Sequence, residues 1–299
     1  MPLNEPSLIQ VAASELLLAE HDISQIAHKA SFNYRRYSVD KRNGSGKRWI
    51  HQPAPSLKAI QRWISRRVLS ILPIHPSAYA YRQDYSIKKH AEAHCRNAYI
   101  LRLDIKEFFP SIRNNDVRLF LKRSENLLRK VHLFSDEDYN FIILCLCRFT
   151  RVAIGAPSSP MLTNVICYHL DEKLHDLAVK SGLVYTRYAD DLYFSTSSPN
   201  LLSKIPIAVA TILRELDCPA HLHLNHRKTC HSSKKRRRKV TGVILTPDGQ
   251  LSVGRELKRR IRAMVHQVDH LDNKNRLQLA GLLGYCQGIE ASFVNRLYV

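Results

Sequence analysis

The sequence has no apolar run long enough to cross a bilayer, so nothing in it reads as a membrane span. Its first residues, MPLNEPSLIQ, lack the basic start and apolar core of a secretory signal. Cysteine is sparse and odd in number, seven in all: Cys95, Cys145, Cys147, Cys167, Cys218, Cys230 and Cys286. Several sit in apolar stretches such as FIILCLC, which argues against a disulfide framework and fits reduced, buried thiols in a cytoplasm. There is no internal repeat and no long low-complexity segment. Acidic residues are few beside basic ones, 26 against 46, leaving a formal charge of +20. A surplus this large points to a polyanionic partner, nucleic acid first and an anionic membrane surface second. The plainer reading is a solvated basic face. The 299 residues, 44% hydrophobic and 24% charged, describe a globular chain of one large domain or two or three subdomains.

Local patterns give mixed elements. Residues 7–30 read as helical. YRRYSVD and RWIHQP are extended pieces about the turn Asn43–Lys47, and a basic amphipathic helix follows over Ser56–Leu72. AYILRLDIKEFF (Ala98–Phe109) reads as a strand with a carboxylate near its end, and DYNFIILCLCRFT as a buried helix. GAPSSP (Gly155–Pro160) breaks the chain before a helix over Met161–Lys180. A helix is expected at about 201–217, then strands at HLHLNHRKT and VTGVIL, and a final helix whose Leu257, Ile261, Val265 and Val268 lie at helical spacing. Strands and helices mix without strict βαβ alternation, so the expected class is α+β.

One stretch does not fit a strand's usual composition. TRYADDLYF (Thr186–Phe194) places Asp190 beside Asp191 inside a hairpin pattern, although Asp is depleted in strands. A third carboxylate, Asp104, lies near the end of the LRLD strand. Three strand-borne aspartates call for positive charge. Oxygen ligands in open octahedral geometry suit Mg²⁺, and two such ions can clamp both oxygens of an in-line phosphoryl transfer. Tyr-x-Asp-Asp alone would arise by accident in roughly 3% of chains this long, so its surroundings decide.

Those surroundings resemble reverse transcriptases, and among them the enzymes of bacterial retrons. YADD (Tyr188–Asp191) is similar to the polymerase metal-site hairpin, and LRLDIKEFFPSI (Leu101–Ile112) to the strand with the first metal aspartate. GAPSSP is similar to the turn lining the nucleotide pocket, and NHRKT (Asn225–Thr229) to a segment with a lysine near the triphosphate. All four occur in the family's order. HAEAH (His90–His94) resembles the retron Asn-Ala-x-x-His motif, with His90 in place of Asn. VTG (Val240–Gly242) matches a retron triplet. Ile154 stands where many relatives have Gln.

The resemblance implies a right-hand fold: fingers over 1–97, palm over 98–245 with a fingers segment at about 113–160, and a short helical thumb over 246–299. It implies catalysis at Asp104, Asp190 and Asp191, with two Mg²⁺ held by Asp104, Ile105, Asp190 and Asp191. Lys47, Arg48, Phe109, Ala156 and Lys228 would meet the deoxynucleoside triphosphate, with Phe109 blocking its 2′-hydroxyl. His94, Arg236, Arg237, Arg238, Val240, Thr241 and Gly242 would meet RNA. The implied partners are a cognate structured non-coding RNA, its branched RNA-linked DNA product (msDNA), an effector or toxin protein, and host RNase H for template removal, in a bacterial cytoplasm and in a phage-defence role. An internal guanosine 2′-hydroxyl would prime synthesis.

Three rivals weigh against this reading. Another bacterial reverse transcriptase, of group II intron or diversity-generating type, is the same-class rival; a maturase-like extension or an endonuclease domain would favour the first, and neither is visible. A non-catalytic RNA-binding scaffold would be marked by loss of a metal aspartate, and all three are present. Cys218, His221, His223, His226, Cys230 and His231 invite a zinc reading, but their spacing fits no closed pattern. KKRRRK (Lys234–Lys239) reads as a phosphate-binding loop beside the VTG triplet.

Overall fold

The computed structural model describes residues 6–40, 46–130 and 132–297. The first three residues of the expected turn Asn43–Lys47 therefore lie outside the described range.

At the centre is a four-stranded antiparallel sheet in the order Val184–Tyr188, Asp191–Thr196, Tyr99–Asp104, Cys230–Ser233. Side chains alternate across a strand, and here each face meets a different core. Leu101, Leu103, Leu192 and Phe194 join a large cluster that also holds Leu8, Ile60, Leu121 and Ile142. The helices Leu8–Leu16, Pro55–Arg67 and Asp136–Leu146 pack into that cluster. Ile100 and Tyr193 face a second cluster with Ala91, Val240, Ile261 and Phe293. This one is closed by a three-stranded sheet (Arg238–Val240, Val243–Leu245, Leu251–Ser252) and the helices Arg255–His266 and Asn273–Ile289. Burial on both faces explains why DLYFST is almost continuously buried rather than alternating. Among the described residues no helix is long and apolar enough to cross a membrane.

Several expected elements are interrupted. The helix expected over 7–30 is two, Leu8–Leu16 and Glu20–His28. Leu17 turns left-handed (φ 56) and closes the first, whose start is fixed by a capping box of Ser7 and Gln10. The helix expected over 161–180 is likewise Ser159–Ile166 and Tyr168–Lys180, divided at Cys167. HLHLNHRKT is not one strand. Asn225 N–H and Lys106 N–H hold the segment to Asp104 O and His223 O (both 2.8 Å). A 3₁₀ turn at His226–Lys228 then interrupts the pairing, and the strand resumes at Cys230. The interruption lets Lys228 reach Asp104 instead of pointing along the ladder.

Candidate active site

The register of the central sheet builds the site. Asp104 pairs directly with Asp191, and Tyr188 with Asp191 across a two-residue turn. Ala189, first in that turn, has φ 56, the left-handed backbone that tight hairpins use. Ile105 N–H donates to Asp190 O at 2.8 Å and ties the turn to the neighbouring strand. Ile105 itself is 1% exposed and apolar, so only its main chain is available to a ligand.

Like charges placed directly opposite are destabilising in a sheet. Two cations offset them in part. Lys228 Nζ lies 2.8 Å from Asp104 Oδ2, and Arg102 Nε lies 3.9 Å from Asp191 Oδ1. The compensation is incomplete. Burial first, then Asp190 and Asp104, push the Asp191 carboxyl up to about 7 against the pull of Arg102. Burial also raises Asp190, with Asp104 adding to it. Asp104 Oδ1 is buried and has no hydrogen-bond partner. Among the described residues no three Asp, Glu, His or Cys side chains converge as a ready-made cage. The donor set nonetheless fits a hard divalent cation: oxygen ligands only, one of them buried and unsatisfied, and a surplus of negative charge.

Beneath the hairpin lies a buried ionic cluster that no sequence motif marks. Arg187 is wholly buried, and its Nε and Nη2 donate to Asp171 Oδ1 and Oδ2 at 2.8 and 2.6 Å. Tyr185 OH donates to Asp171 Oδ1 at 2.8 Å, and Arg187 Nη1 to Asn164 Oδ1 at 3.2 Å and Ala189 O at 3.4 Å. A fork of five donors suits this role. The one signal in the letters is an arginine as the single charged residue of the strand VYTRY.

On the opposite face, beyond Asp191, a second polar network joins HAEAH to the VTG hairpin. His90 Nε2 and His94 Nε2 both lie 2.7 Å from Thr186 Oγ1, and His94 Nδ1 lies 2.7 Å from Ser195 Oγ. His90 Nδ1 meets Thr241 Oγ1 at 3.2 Å, and Thr241 N–H donates to Tyr193 OH at 3.3 Å. One hydroxyl proton cannot serve two rings, so at least one imidazole donates its Nε2–H to Thr186. Burial holds both rings neutral, His90 down to about 2 with help from His94, and His94 down to about 3. Val240 pairs with Val243 around Thr241 (φ 44) and Gly242 (φ 98). A two-residue turn with both φ positive explains the glycine.

These positions correct the expected RNA contacts. His94 and Val240 are 0% exposed, and Arg238 is 1% exposed. Arg238 donates to the carbonyls of Cys95, Asn97 and Thr246 and so ties the segment before the strand Tyr99–Asp104 to the turn after Val243–Leu245. In this conformation none of the three side chains touches a ligand from solution. Thr241 is half-buried, while Arg236, Arg237 and Gly242 are exposed.

The nucleotide candidates gather from three elements. Lys47 and Arg48 are exposed at the start of the strand Lys47–Pro53, and the Arg48 charge reaches Asp190. Gly155 (φ 108) lets GAPSSP press against that hairpin, since a Cβ there would lie 2.7 Å from Ile50 Cγ2 and 3.0 Å from His51 O. His51 N–H donates to Ile154 O at 2.8 Å. Ala156 is 4% exposed. Phe109 is half-buried in the short helix Phe108–Ser111 and packs against the larger core.

Comparison with known proteins agrees with this geometry. Residues 39–245 match the family model described as reverse transcriptase (RNA-dependent DNA polymerase). In solved structures the chain is similar to the telomerase of Candida tropicalis in complex with a fragment of telomeric RNA: TM-score 0.51, 11% identity, 95% of this chain and 58% of that one. It is also similar to the apo, C-terminally truncated telomerase of the same organism: TM-score 0.50, 16% identity, 72% and 54%. The chain thus spans just over half the length of these telomerases, and it shares with them the right-hand polymerase fold. Fold and site define an RNA-directed DNA polymerase.

Among curated relatives it is 32% identical over 280 residues to the retron Ec86 reverse transcriptase of Escherichia coli, covering 91% of this chain and 81% of that protein. It is 34% identical over 275 residues to the retron Ec83 enzyme of the same organism, covering 89% and 86%. The chain belongs to the retron reverse transcriptases. Reverse transcriptases as a class depend on divalent metal ions.

Proposed function

We propose that this enzyme copies a cognate structured RNA into DNA linked to it through an internal guanosine 2′-hydroxyl, giving a branched msDNA. The observation that supports this most is the direct pairing of Asp104 with Asp191 beside Asp190, with Asp104 Oδ1 buried and unsatisfied. Asp104, Asp190, Asp191 and the main chain of Ile105 would hold two Mg²⁺. Those ions, when bound, supply charge stabilisation to both the attacking and the leaving oxygen.

The chain's own groups do the rest. Lys228, now on Asp104 Oδ2, is a cation free to exchange: it would yield that oxygen to metal and turn to the triphosphate. Arg48 and Lys47 would neutralise the phosphates, Ala156 would line the pocket, and Phe109 would exclude a ribose 2′-hydroxyl. Arg236, Arg237, Thr241 and Gly242 would meet RNA, with His94, Val240 and Arg238 holding that surface from behind. Fingers would span 1–97 and about 113–160, palm the remainder of 98–245, and thumb 246–299. The +20 charge fits an RNA partner. A phage-defence role with an effector protein, template removal by host RNase H and a cytoplasmic location complete the reading.

The test is to purify the chain from its native host and sequence the nucleic acid bound to it. DNA joined to RNA, with the RNA end resistant to a 3′–5′ exonuclease until a debranching enzyme is added, is the expected product. Unbranched DNA alone would refute the priming step.

A further inference from the structure

Tyr81 belongs to none of the sequence motifs, yet the fold delivers it to the carboxylates. Ser77–Tyr79 adds to the open edge of the central sheet: Arg187 N–H donates to Ser77 O at 2.7 Å, and Tyr79 N–H to Arg187 O at 2.8 Å. The bridge between Ala78 and Arg187 is parallel. From that bridge both segments run in the same direction, one toward Tyr81 and the other toward the turn that carries Asp190. Burial raises the pKa of its hydroxyl, Asp190 and Tyr188 add to the rise, and Arg48 and Arg187 oppose it.

The backbone on both sides of Tyr81 is tied down. Ala80 O accepts from Asn164 Nδ2 at 2.7 Å. Arg82 Nη1 donates to His75 O at 3.2 Å and to Ala78 O at 3.1 Å, and its guanidinium stacks 4.0 Å over the Tyr85 ring. Between these anchors Tyr81 has φ 58 and is 51% exposed. A bulky residue in the left-handed region is an outlier, and such strain persists only where surrounding structure imposes it. Core packing does not repay it, because Tyr81 belongs to neither buried cluster. Glycine or asparagine would serve the turn better.

We propose that Tyr81 is a nucleic-acid-binding residue that rests against the terminal base pair of the primer–template duplex at the reacting centre. The inference builds on the polymerase reading of the carboxylate site. A half-exposed ring with a terminal hydroxyl suits the flat face and sugar edge of a base pair, and stacking of this kind tolerates any sequence. It does not suit a triphosphate, which Arg48 and Lys47 are placed to meet.

The experiment uses the purified full chain on an annealed RNA template with a DNA primer, with Tyr81→Gly, Tyr81→Ala and Tyr81→Phe. Duplex Kd, KM for the nucleotide, extension rate and Tm are measured together. The expected result is that Tyr81→Gly keeps or raises Tm, while duplex affinity and extension each fall about tenfold and KM for the nucleotide stays within about twofold. Tyr81→Phe retains most of both. A lower Tm in Tyr81→Gly that tracks the loss of activity would return Tyr81 to a structural role. A raised nucleotide KM with unchanged duplex affinity would move it to the nucleotide site. Wild-type values throughout would overturn the inference outright. Absence of extension by the unaltered chain would instead refute the reading of the site on which it rests.

Discussion

Asp171→Leu should be among the most damaging single substitutions in the protein, although it touches no solvent. Arg187 and Asp171 are both 0% exposed, and the carboxylate accepts two of the guanidinium's donors at 2.8 and 2.6 Å. Removing one partner leaves a buried charge without compensation, which typically costs about 3–5 kcal/mol. For a chain of this size that corresponds to a fall in Tm on the order of 10 °C. Replacing both partners with apolar residues of similar volume, Arg187→Met with Asp171→Leu, should recover most of the loss, since well-packed apolar substitutes for a buried pair are often neutral or stabilising. Stability and activity should then part company. Arg187 also holds Ala189 O and Asn164 Oδ1, so the double variant should refold yet extend a primer poorly. Thermal melts of the two single variants and the double variant, paired with primer extension, close the cycle. Two single losses that merely add in the double variant would show that the pair is not coupled, and full activity in the double variant would show that Arg187 does not position the hairpin.

Other consequences follow from the remaining interactions. His90 and His94 are held neutral at about 2 and about 3, below the 6.5 of the unfolded chain. Their contribution to stability is therefore complete above pH 6.5 and lost as pH falls toward those values, by up to about 1.4 kcal/mol per pH unit per ring. Tm measured from pH 7 to pH 4 should drop steeply in the wild type and less steeply in His90→Gln with His94→Gln; parallel curves would contradict the assignment. Phe109→Ala should raise ribonucleotide relative to deoxynucleotide incorporation, and an unchanged ratio in an active variant would leave Phe109 as a core residue only. Neutralising Arg236 and Arg237, exposed beside Gly242, should reduce the slope of log K for RNA against log salt by about 0.7–0.9 for each phosphate left without its cation. An unaltered slope would make both residues merely solvated.

The parts of the site that were legible in the sequence are those written in short-range pattern. YADD sits between two arms rich in aromatic and aliphatic residues, so a hairpin with its tip at Ala189-Asp190 follows from the composition of the arms. Asp104 sits at the end of its own strand. The breaks at Leu17 and Cys167 were not legible because apolar spacing continues across both, and only the tertiary packing shows where each helix stops. Arg238 illustrates the same limit differently. In a run of six cations, composition reads every member as solvated, yet the carbonyls of distant Cys95 and Asn97 and of nearby Thr246 draw this one inside. His94 reads as a polar motif residue, but its partners Thr186 and Ser195 lie about a hundred positions downstream. Tyr81 carried no motif signal at all, because left-handed backbone at a tyrosine cannot be read from the letters around it.

In the proposed mechanism Asp104, Asp190 and Asp191 carry metal-dependent DNA synthesis on RNA. It is tested most directly by single-turnover extension of a DNA primer on an RNA template, with Mg²⁺ added, comparing the wild type with Asp190→Asn. The wild type should extend the primer, and the variant should bind the duplex and melt like the wild type but extend on the order of 10³-fold more slowly, since a lost metal position removes several kcal/mol of charge stabilisation. Extension by Asp190→Asn at a rate near that of the wild type would contradict it.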